Sequence, residues 1–228
     1  MSQSLFYTWW EHFSISQFLH SIIASETTRQ MLLNAPALVL GNIKFQRILI
    51  CIIFIILLFR TDAQARSELE TIRNSISANV IFLRHALAPG FGDPHNFIKQ
   101  DCSTQRNLSN KGRLQARLIG HYLKSSKIRF SEILTSEWCR CIDTTKELNL
   151  GNWKIFSGLN SFFEGHEKKY RVKDKLQKRL DSVGHSDLIL LVTHQVVIFE
   201  QTGLAPKSGE MVLYNSLTKK TRRYMVDY

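Results

Sequence analysis

The chain has 228 residues, a formal net charge of +11 at pH 7 and a sequence pI of about 9.7. Its 44% hydrophobic and 21% charged residues exclude an intrinsically disordered protein and predict one globular domain of ordinary size with an extension. The basic balance favours anionic partners such as phosphorylated small molecules. Neither zinc-finger spacing nor interleaved basic and aromatic residues occur in the sequence, so no nucleic-acid partner is expected.

An apolar segment near the N-terminus predicts export or membrane attachment. Residues 48–59 carry no charged side chain, Lys44 and Arg47 precede them, and residues 63–65 (AQA) follow. A basic region, an apolar region and an A-x-A site in this order are typical of a secretory signal peptide. The alternative is an uncleaved anchor in the inner membrane that also uses residues 37–40, because the apolar run alone is shorter than the roughly 20 residues of a membrane span. We therefore expect a periplasmic or extracellular protein, or one attached to the membrane through this segment.

The sequence divides into two predicted parts. Residues 1–65 form an N-terminal extension that contains the signal peptide or anchor, and residues 66–228 form a domain whose core spans about 79–215. A translation start at Met31 would give the signal peptide a conventional length, and a genuine N-terminal tail is the alternative.

Three of the four cysteines, Cys102, Cys139 and Cys141, belong to the predicted domain. The single residue between Cys139 and Cys141 is too short for the paired-cysteine spacing of zinc sites, so no metal is predicted. In an oxidising compartment Cys102 could pair with Cys139 or with Cys141, whereas in a reducing compartment all three remain thiols.

From residue 79 onward, apolar runs alternate with helical patterns. The strands are predicted at 80–83, 132–135, 153–156, 187–193 and 211–214, and the helices at 111–124, 140–148, 167–183 and 195–202. Ser109 is the predicted N-cap of the first helix, and Gly203 ends the last one. Apolar strands separated by helices predict a mostly parallel sheet covered on both faces. The predicted fold class is α/β, a three-layer α/β/α sandwich preceded by the apolar N-terminal helix.

Basic side chains stand where three of these strands end. Arg84 and His85 follow the first strand, His194 follows the fourth, and Arg140 lies in the first turn after the second. The carboxyl ends of neighbouring parallel strands meet at one edge of the sheet, where α/β proteins bind ligands. A neutral imidazole can act as a nucleophile, and a guanidinium can hold a phosphate with two hydrogen bonds. The sequence therefore predicts an anion-binding site with two histidines and two arginines.

Four short motifs occur in order along the predicted domain, namely RHA at 84–86, LSNKGRLQA at 108–116, TSEWCR at 135–140 and VTHQ at 192–195. They resemble, in the same order, the Arg-His-Gly, L-[ST]-x-x-G-x-x-Q-A, S-S-x-x-x-R and V-[ST]-H-G motifs of the histidine phosphatase superfamily, also called the phosphoglycerate mutase-like family. The resemblance covers about residues 79–215 and implies the α/β fold of that family.

The resemblance also implies a metal-independent phosphomonoester hydrolase without a cofactor. His85 would attack the phosphorus atom to give a phosphohistidine, and Arg84, Arg140 and His194 would bind the phosphoryl oxygens. Water would then hydrolyse this intermediate. The substrate would be a phosphorylated small molecule or a phosphorylated component of the cell envelope.

The chain departs from the family pattern where Ala86 and Gln195 replace two glycines. The proton donor to the leaving group is open, with Glu164 as the predicted acid and Glu210 as a second candidate. Arg106, in the long loop after the first strand, is a further candidate for a phosphate contact. The departures leave an alternative function open, a protein of the same fold that binds phosphate or a phosphorylated ligand with little or no turnover.

Overall fold

Six strands form one sheet in the computed structural model of the chain, which describes residues 49, 50, 52 and 68–227. They are β1 (Val80–Arg84), β2 (Glu132–Thr135), β3 (Lys154–Ile155), β4 (Ile189–Thr193), β5 (Met211–Tyr214) and β6 (Thr221–Tyr224). Their order across the sheet is β3-β2-β4-β1-β5-β6. The first four strands in this order pair in parallel. β5 pairs antiparallel with β1, and β6 pairs antiparallel with β5. The predicted, mostly parallel sheet is confirmed.

Apolar side chains cover both faces of this sheet. The main helices are α1 (Asn110–Ser125), α2 (Cys139–Leu148), α3 (Lys169–Asp181) and α4 (Gln195–Thr202), and residues 68–75 are also helical. In β1, Ile81 and Leu83 belong to a core shared with α1 and α2, whereas Val80 and Phe82 belong to a core shared with α3 and α4. Successive side chains of a strand point to opposite faces. The helices therefore lie on both sides of the sheet, and the predicted three-layer architecture is confirmed.

The observed elements differ from the predicted ones mainly at the edges of the sheet. β3 contains two residues instead of four, because only these pair with the edge of β2. The sequence does not predict β6, since Arg222 and Arg223 are exposed on this edge strand and only Tyr224 at its end is buried. Its polar sequence lacks the apolar run that marks the central strands.

The predicted apolar N-terminal helix, with its signal peptide or anchor, lies mostly outside the described residues. Residues 49, 50 and 52 of that segment are helical. Within the described part of the chain, the helices are too short or too polar to cross a membrane.

The motif at 108–116 fixes the loop that follows β1. Ser109 caps α1 as predicted, because its Oγ accepts a hydrogen bond from the Gly112 N–H at 3.1 Å. The Ser109 N–H in turn donates to the Leu87 carbonyl at 3.1 Å. Gln115 binds the other side of the same peptide backbone, since its Oε1 accepts a hydrogen bond from the Leu87 N–H at 2.9 Å. The start of α1 therefore holds the backbone two residues after His85.

Replacing Gly112 with alanine is expected to lower the free energy of unfolding by about 1–3 kcal/mol. The added Cβ would lie 2.1 Å from the carbonyl oxygen of Leu87, so either α1 or the loop after β1 must move. Urea denaturation measures the change. The matched control is Lys111→Ala, an exposed neighbour in the same turn that is expected to change stability by less than about 0.5 kcal/mol. Equal stabilities for the two variants would contradict the prediction.

Candidate active site

The sheet order brings the predicted histidines together. β1 and β4 are neighbours with Arg84 opposite Thr193, so the residues that follow, His85 and His194, leave the sheet side by side. The His85 N–H donates to the Thr193 carbonyl at 2.9 Å, which extends the ladder to the site. The centroids of the two imidazole rings are 5.6 Å apart. Ser136 follows β2 on the other side of β4, and its N–H donates to the Val192 carbonyl at 3.1 Å.

His85 has the tautomer and the charge state of a nucleophile. The residue is 2% exposed, and its Nδ1 lies 2.8 Å from the carbonyl oxygen of Ala86. A carbonyl can only accept, so Nδ1 carries the proton and Nε2 keeps its lone pair. Burial, followed by the positive charge of Arg140, lowers the pKa of His85 well below its ordinary value. The imidazole is therefore neutral at physiological pH.

Two arginines beside His85 have buried donors without a protein partner. The Nε–H groups of Arg84 and Arg140 are buried and donate to no hydrogen-bond acceptor among the described residues. Arg84 is anchored by its terminal nitrogen, which donates to the Pro206 carbonyl at 2.9 Å. Burial and the charge of Arg140 lower the pKa of Arg84. Two unpartnered N–H groups next to a neutral imidazole form a site that suits an anion.

Asp93, which lies in the long loop after β1 and was not among the predicted site residues, holds Arg140 in place. Its carboxylate accepts from both terminal nitrogens of that guanidinium, at 2.7 and 3.1 Å. It also accepts from Trp138 Nε1 at 3.0 Å and from the Arg106 N–H at 3.1 Å. Burial alone would raise the pKa of Asp93, but the hydrogen bonds and charge of Arg140 outweigh it, and the pKa falls below its ordinary value. The ionised carboxylate therefore holds the end of the Arg140 guanidinium and does not use its Nε–H or the second N–H of Nη2.

Arg106 joins the same basic cluster through the loop after β1. Its Nε donates to the Gly92 carbonyl at 2.8 Å, and a terminal nitrogen donates to the Ala88 carbonyl. Burial, then the charge of Arg140, lowers the pKa of Arg106. These bonds show that Arg106 shapes the loop, whereas its predicted phosphate contact stays a prediction.

The two candidate acids lie on different sides of the cluster. Glu164 accepts from the Asp93 N–H at 3.1 Å, and its side chain is 38% exposed. Glu210 is buried, accepts from the Lys207 N–H at 2.6 Å, and its charge acts on Arg84. Glu164 lies 3.6 Å from Nε2 of His166, but neither acid forms a hydrogen bond to His85 or His194 in the described part of the chain, so the choice between them stays a prediction.

The two departures from the family motifs have simple structural accounts. Ala86 has no positive φ, and its buried methyl group packs with Ala88, Leu108 and Ala116. A methyl group therefore costs nothing at a position where glycine's conformational freedom is not used. Gln195 donates from Nε2 to the Pro206 carbonyl at 3.1 Å, the same oxygen that anchors a neighbouring arginine.

The cysteines are arranged around α2, the helix that carries Arg140. Cys102 and Cys139 form a disulfide, which is one of the two pairings that the sequence left open. Cys141 is a buried free thiol whose Sγ lies 3.5 Å from Nε2 of His194. Burial raises the pKa of Cys141 to about 12, so the thiol keeps its proton. The disulfide ties the loop that contains Asp93 to the first residue of α2. Within residues 68–227, no group of three or more histidine, cysteine or acidic side chains is arranged to hold a metal ion.

Reduction of the disulfide is expected to lower the free energy of unfolding by about 3 kcal/mol, because it releases a constraint between residues 37 positions apart. Urea denaturation of the full chain with and without dithiothreitol measures the loss. Cys102→Ser should show the same loss without reductant and no further change with it. An identical midpoint for the oxidised and reduced chain would contradict the prediction.

No family model and no curated protein matches the sequence. Among solved structures, the chain is similar to the protein histidine phosphatase SixA complexed with tungstate, at 17% identity over 64% of this chain and 93% of that chain, with a TM-score of 0.44. It is also similar to the alpha-ribazole phosphatase from Shigella flexneri (16% identity, 65% of this chain, 96% of that chain, TM-score 0.46). A mycobacterial glucosyl-3-phosphoglycerate phosphatase in complex with VO3 matches at 15% identity over 65% of this chain and 98% of that chain, with a TM-score of 0.48. The matched structures are of the histidine phosphatase superfamily, which is the family that the four sequence motifs resemble.

Proposed function

We propose that the chain is a phosphomonoester hydrolase that works through a phosphohistidine on His85. One arrangement carries this proposal: a buried neutral imidazole with its Nδ1 bonded to a carbonyl, next to the unpartnered buried Nε–H groups of Arg84 and Arg140. A buried donor without an acceptor costs about 1–3 kcal/mol. Phosphoryl oxygens would accept from both groups and bring phosphorus to the nucleophile.

In the first step, the Nε2 lone pair of His85 attacks phosphorus. The bond from phosphorus to the leaving-group oxygen breaks, and its electron pair leaves with that oxygen, which then takes up a proton. Glu164, beside the loop that carries Asp93, is our first candidate for the donor, and Glu210, beside Arg84, is the second. A general acid of this kind contributes about 10²–10⁴-fold to the rate.

In the second step, water attacks the phosphohistidine. The bond between phosphorus and Nε2 breaks, its electron pair returns to His85, and the water proton is released as inorganic phosphate leaves. The charges of Arg84, Arg106 and Arg140 act on His85 and would stabilise the negative charge on the transferring group. We propose on this ground that turnover needs no metal ion and no cofactor.

The alternative, a phosphate-binding protein of the same fold, is favoured by one observation. Asp93 forms a buried ion pair with Arg140, so it neutralises part of the positive charge that this arginine can present to a ligand. A site weakened in this way could bind phosphate without stabilising the transition state well enough for turnover.

The test is hydrolysis of an aryl phosphate by the full chain in the presence of EDTA, combined with alkaline quenching. We expect release of the aryl alcohol and an alkali-stable, acid-labile phosphoryl group on the protein. Turnover that disappears with EDTA and returns with a divalent metal would overturn the proposed mechanism. No turnover with several phosphomonoesters, while inorganic phosphate still binds, would favour the binding protein.

We also propose that the substrate is a phosphorylated small molecule or a phosphorylated envelope component. We further propose that the protein is exported to the periplasm or the extracellular space, or is held in the membrane by an anchor at residues 48–59. The disulfide between Cys102 and Cys139 supports export, because such bonds persist in oxidising compartments. N-terminal sequencing of the native protein tests cleavage. A mature start near Arg66 would support a signal peptide, and retention of the whole segment in the membrane fraction would support an anchor.

A further inference from the structure

A buried amide next to the site has a fixed orientation. Asn160 is 0% exposed, and its Nδ2 donates to the carboxylates of Glu137 and Glu167, the latter at 3.1 Å. Lys99 bridges the same two carboxylates at 3.2 and 2.6 Å and keeps them in place. Carboxylates can only accept, so the NH₂ end of the amide must face them. The Oδ1 end therefore points the other way, where it accepts from the Glu137 N–H at 3.0 Å.

This orientation determines which acceptor the Ser136 hydroxyl donates its hydrogen bond to. The Ser136 Oγ lies 3.2 Å from Asn160 Oδ1, which carries no proton, so the hydroxyl donates to the amide. The Trp138 N–H donates to the same Oγ at 3.3 Å and does not compete for the proton. The protonated thiol of Cys141 also contacts Ser136 and lies 3.5 Å from Nε2 of His194, but a thiol is a weaker donor and a weaker acceptor than a hydroxyl or an amide.

The hydroxyl oxygen of Ser136 also contacts a ring nitrogen of His194. Its Oγ is 2.9 Å from Nε2 of His194, and its own proton is committed elsewhere. The contact is a hydrogen bond only when Nε2–H is the donor. A neutral imidazole carries one proton, so Nδ1 of His194 keeps a lone pair.

We propose that Asn160 and Ser136 hold His194 as the neutral Nε2–H tautomer, so that its Nδ1 accepts a hydrogen bond from a protonated phosphoryl oxygen and the site selects the monoanion of a phosphomonoester. The choice of substrate ion rests on the proposed function, whereas the tautomer does not. Asn160 and Ser136 act here as positioning residues.

Electrostatics around His194 agree with a neutral ring. Burial, then the charge of Arg140, lowers the pKa of His194 well below its ordinary value. The titratable and charged groups that face it come from β1, the loop after β1 and α2: His85, Arg84, Arg106, Arg140 and Cys141. The second pKa of a phosphomonoester is about 6. Above this pH the substrate is a dianion with no proton to donate to Nδ1. The lone pairs of its oxygens would then repel the lone pair of Nδ1, and binding would weaken.

The tautomer is measured directly by long-range proton–nitrogen correlation NMR on the full chain labelled with ¹⁵N-histidine. The signals missing from His194→Gln assign the ring. We expect a protonated Nε2 and an unprotonated Nδ1 in the parent chain, and a proton shared between both nitrogens in Ser136→Ala. The matched control is Ser161→Ala, which removes a buried serine whose Oγ accepts from the Phe163 N–H at 3.3 Å and should leave the signals of His194 unchanged. A proton on Nδ1 in the parent chain overturns the proposal even if no variant folds.

The selection of the monoanion is tested with two aryl phosphates that differ in their second pKa. For the parent chain, kcat/KM should fall about tenfold per pH unit above the second pKa of each substrate, and the descending limb should move with the substrate. In Ser136→Ala the limb should flatten. If the decrease in kcat/KM occurs at the same pH for both substrates, selection of the monoanion is overturned. The NMR measurement still tests the tautomer independently. If the chain has no turnover at all, the proposed function fails but the tautomer is still measured.

Discussion

Replacing His85 with alanine is expected to reduce hydrolysis of an aryl phosphate by at least about 10⁴-fold, because the variant has no nucleophile to form the covalent intermediate. The alkali-stable phosphoryl group should disappear at the same time. Arg84, Arg140 and His194 remain in the variant and are expected to bind phosphate, so affinity should fall far less than the rate. Steady-state kinetics and isothermal titration with inorganic phosphate separate the two quantities.

The control for this variant is His121→Ala, which removes an exposed histidine of α1 and should leave the rate unchanged. Urea denaturation of both variants identifies any loss of rate that comes from unfolding, since His85 also satisfies the Ala86 carbonyl. Hydrolysis that survives in folded His85→Ala, with the phosphoryl group still trapped, would assign the nucleophile to another residue.

Removing the carboxylate of Asp93 is expected to have the largest effect on stability. Asp93→Ala leaves the guanidinium of Arg140 buried without its counter-charge, since the two side chains are only 3% and 4% exposed. Breaking a buried ion pair from one side costs about 3–5 kcal/mol, most of it the cost of the charge left behind. Urea denaturation at neutral pH measures this loss.

A double-mutant cycle separates the pair from the rest of the loop. Adding Arg140→Met to Asp93→Ala removes the stranded charge and should restore much of the stability. The control is Asp174→Ala, which breaks an exposed pair with Lys178 and should cost less than about 1 kcal/mol. A loss for Asp93→Ala no larger than that of the control would show that Arg140 is not held by this carboxylate.

The fold could be predicted from the sequence where local pattern and burial coincide. The first four residues of β1 and of β4 are apolar because both faces of these strands are covered, and they form the run of hydrophobic residues that marks a central strand. The edge strand β6 is polar on its exposed side, and its position depends on pairing with β5 rather than on its own sequence. Edge pairing is a non-local interaction that a single sequence does not display.

The site residues could be predicted where they follow directly from the strand assignments, and not where they depend on contacts between distant loops. Side chains at the carboxyl ends of adjacent strands converge because the backbone forces them to, so His85 and His194 followed from the strand assignments. Asp93 reaches Arg140 from a loop 47 positions away, and its role depends on how that loop folds over α2. Asn160 likewise acts through contacts with Ser136, 24 positions away. Such contacts have no short motif, and the Asp-Pro pair at 93–94 in the long loop after β1 was the one available signal.

The bond between Cys102 and Cys139 has a practical consequence for producing the protein. A bacterial cytoplasm keeps cysteines reduced, so a chain made there would leave the loop with Asp93 untied from the start of α2. Cys102 is exposed and Cys139 buried, so oxidation after folding depends on the buried partner becoming accessible. Recombinant material should therefore be made in an oxidising host or secreted, and its thiol content measured before any assay result is interpreted.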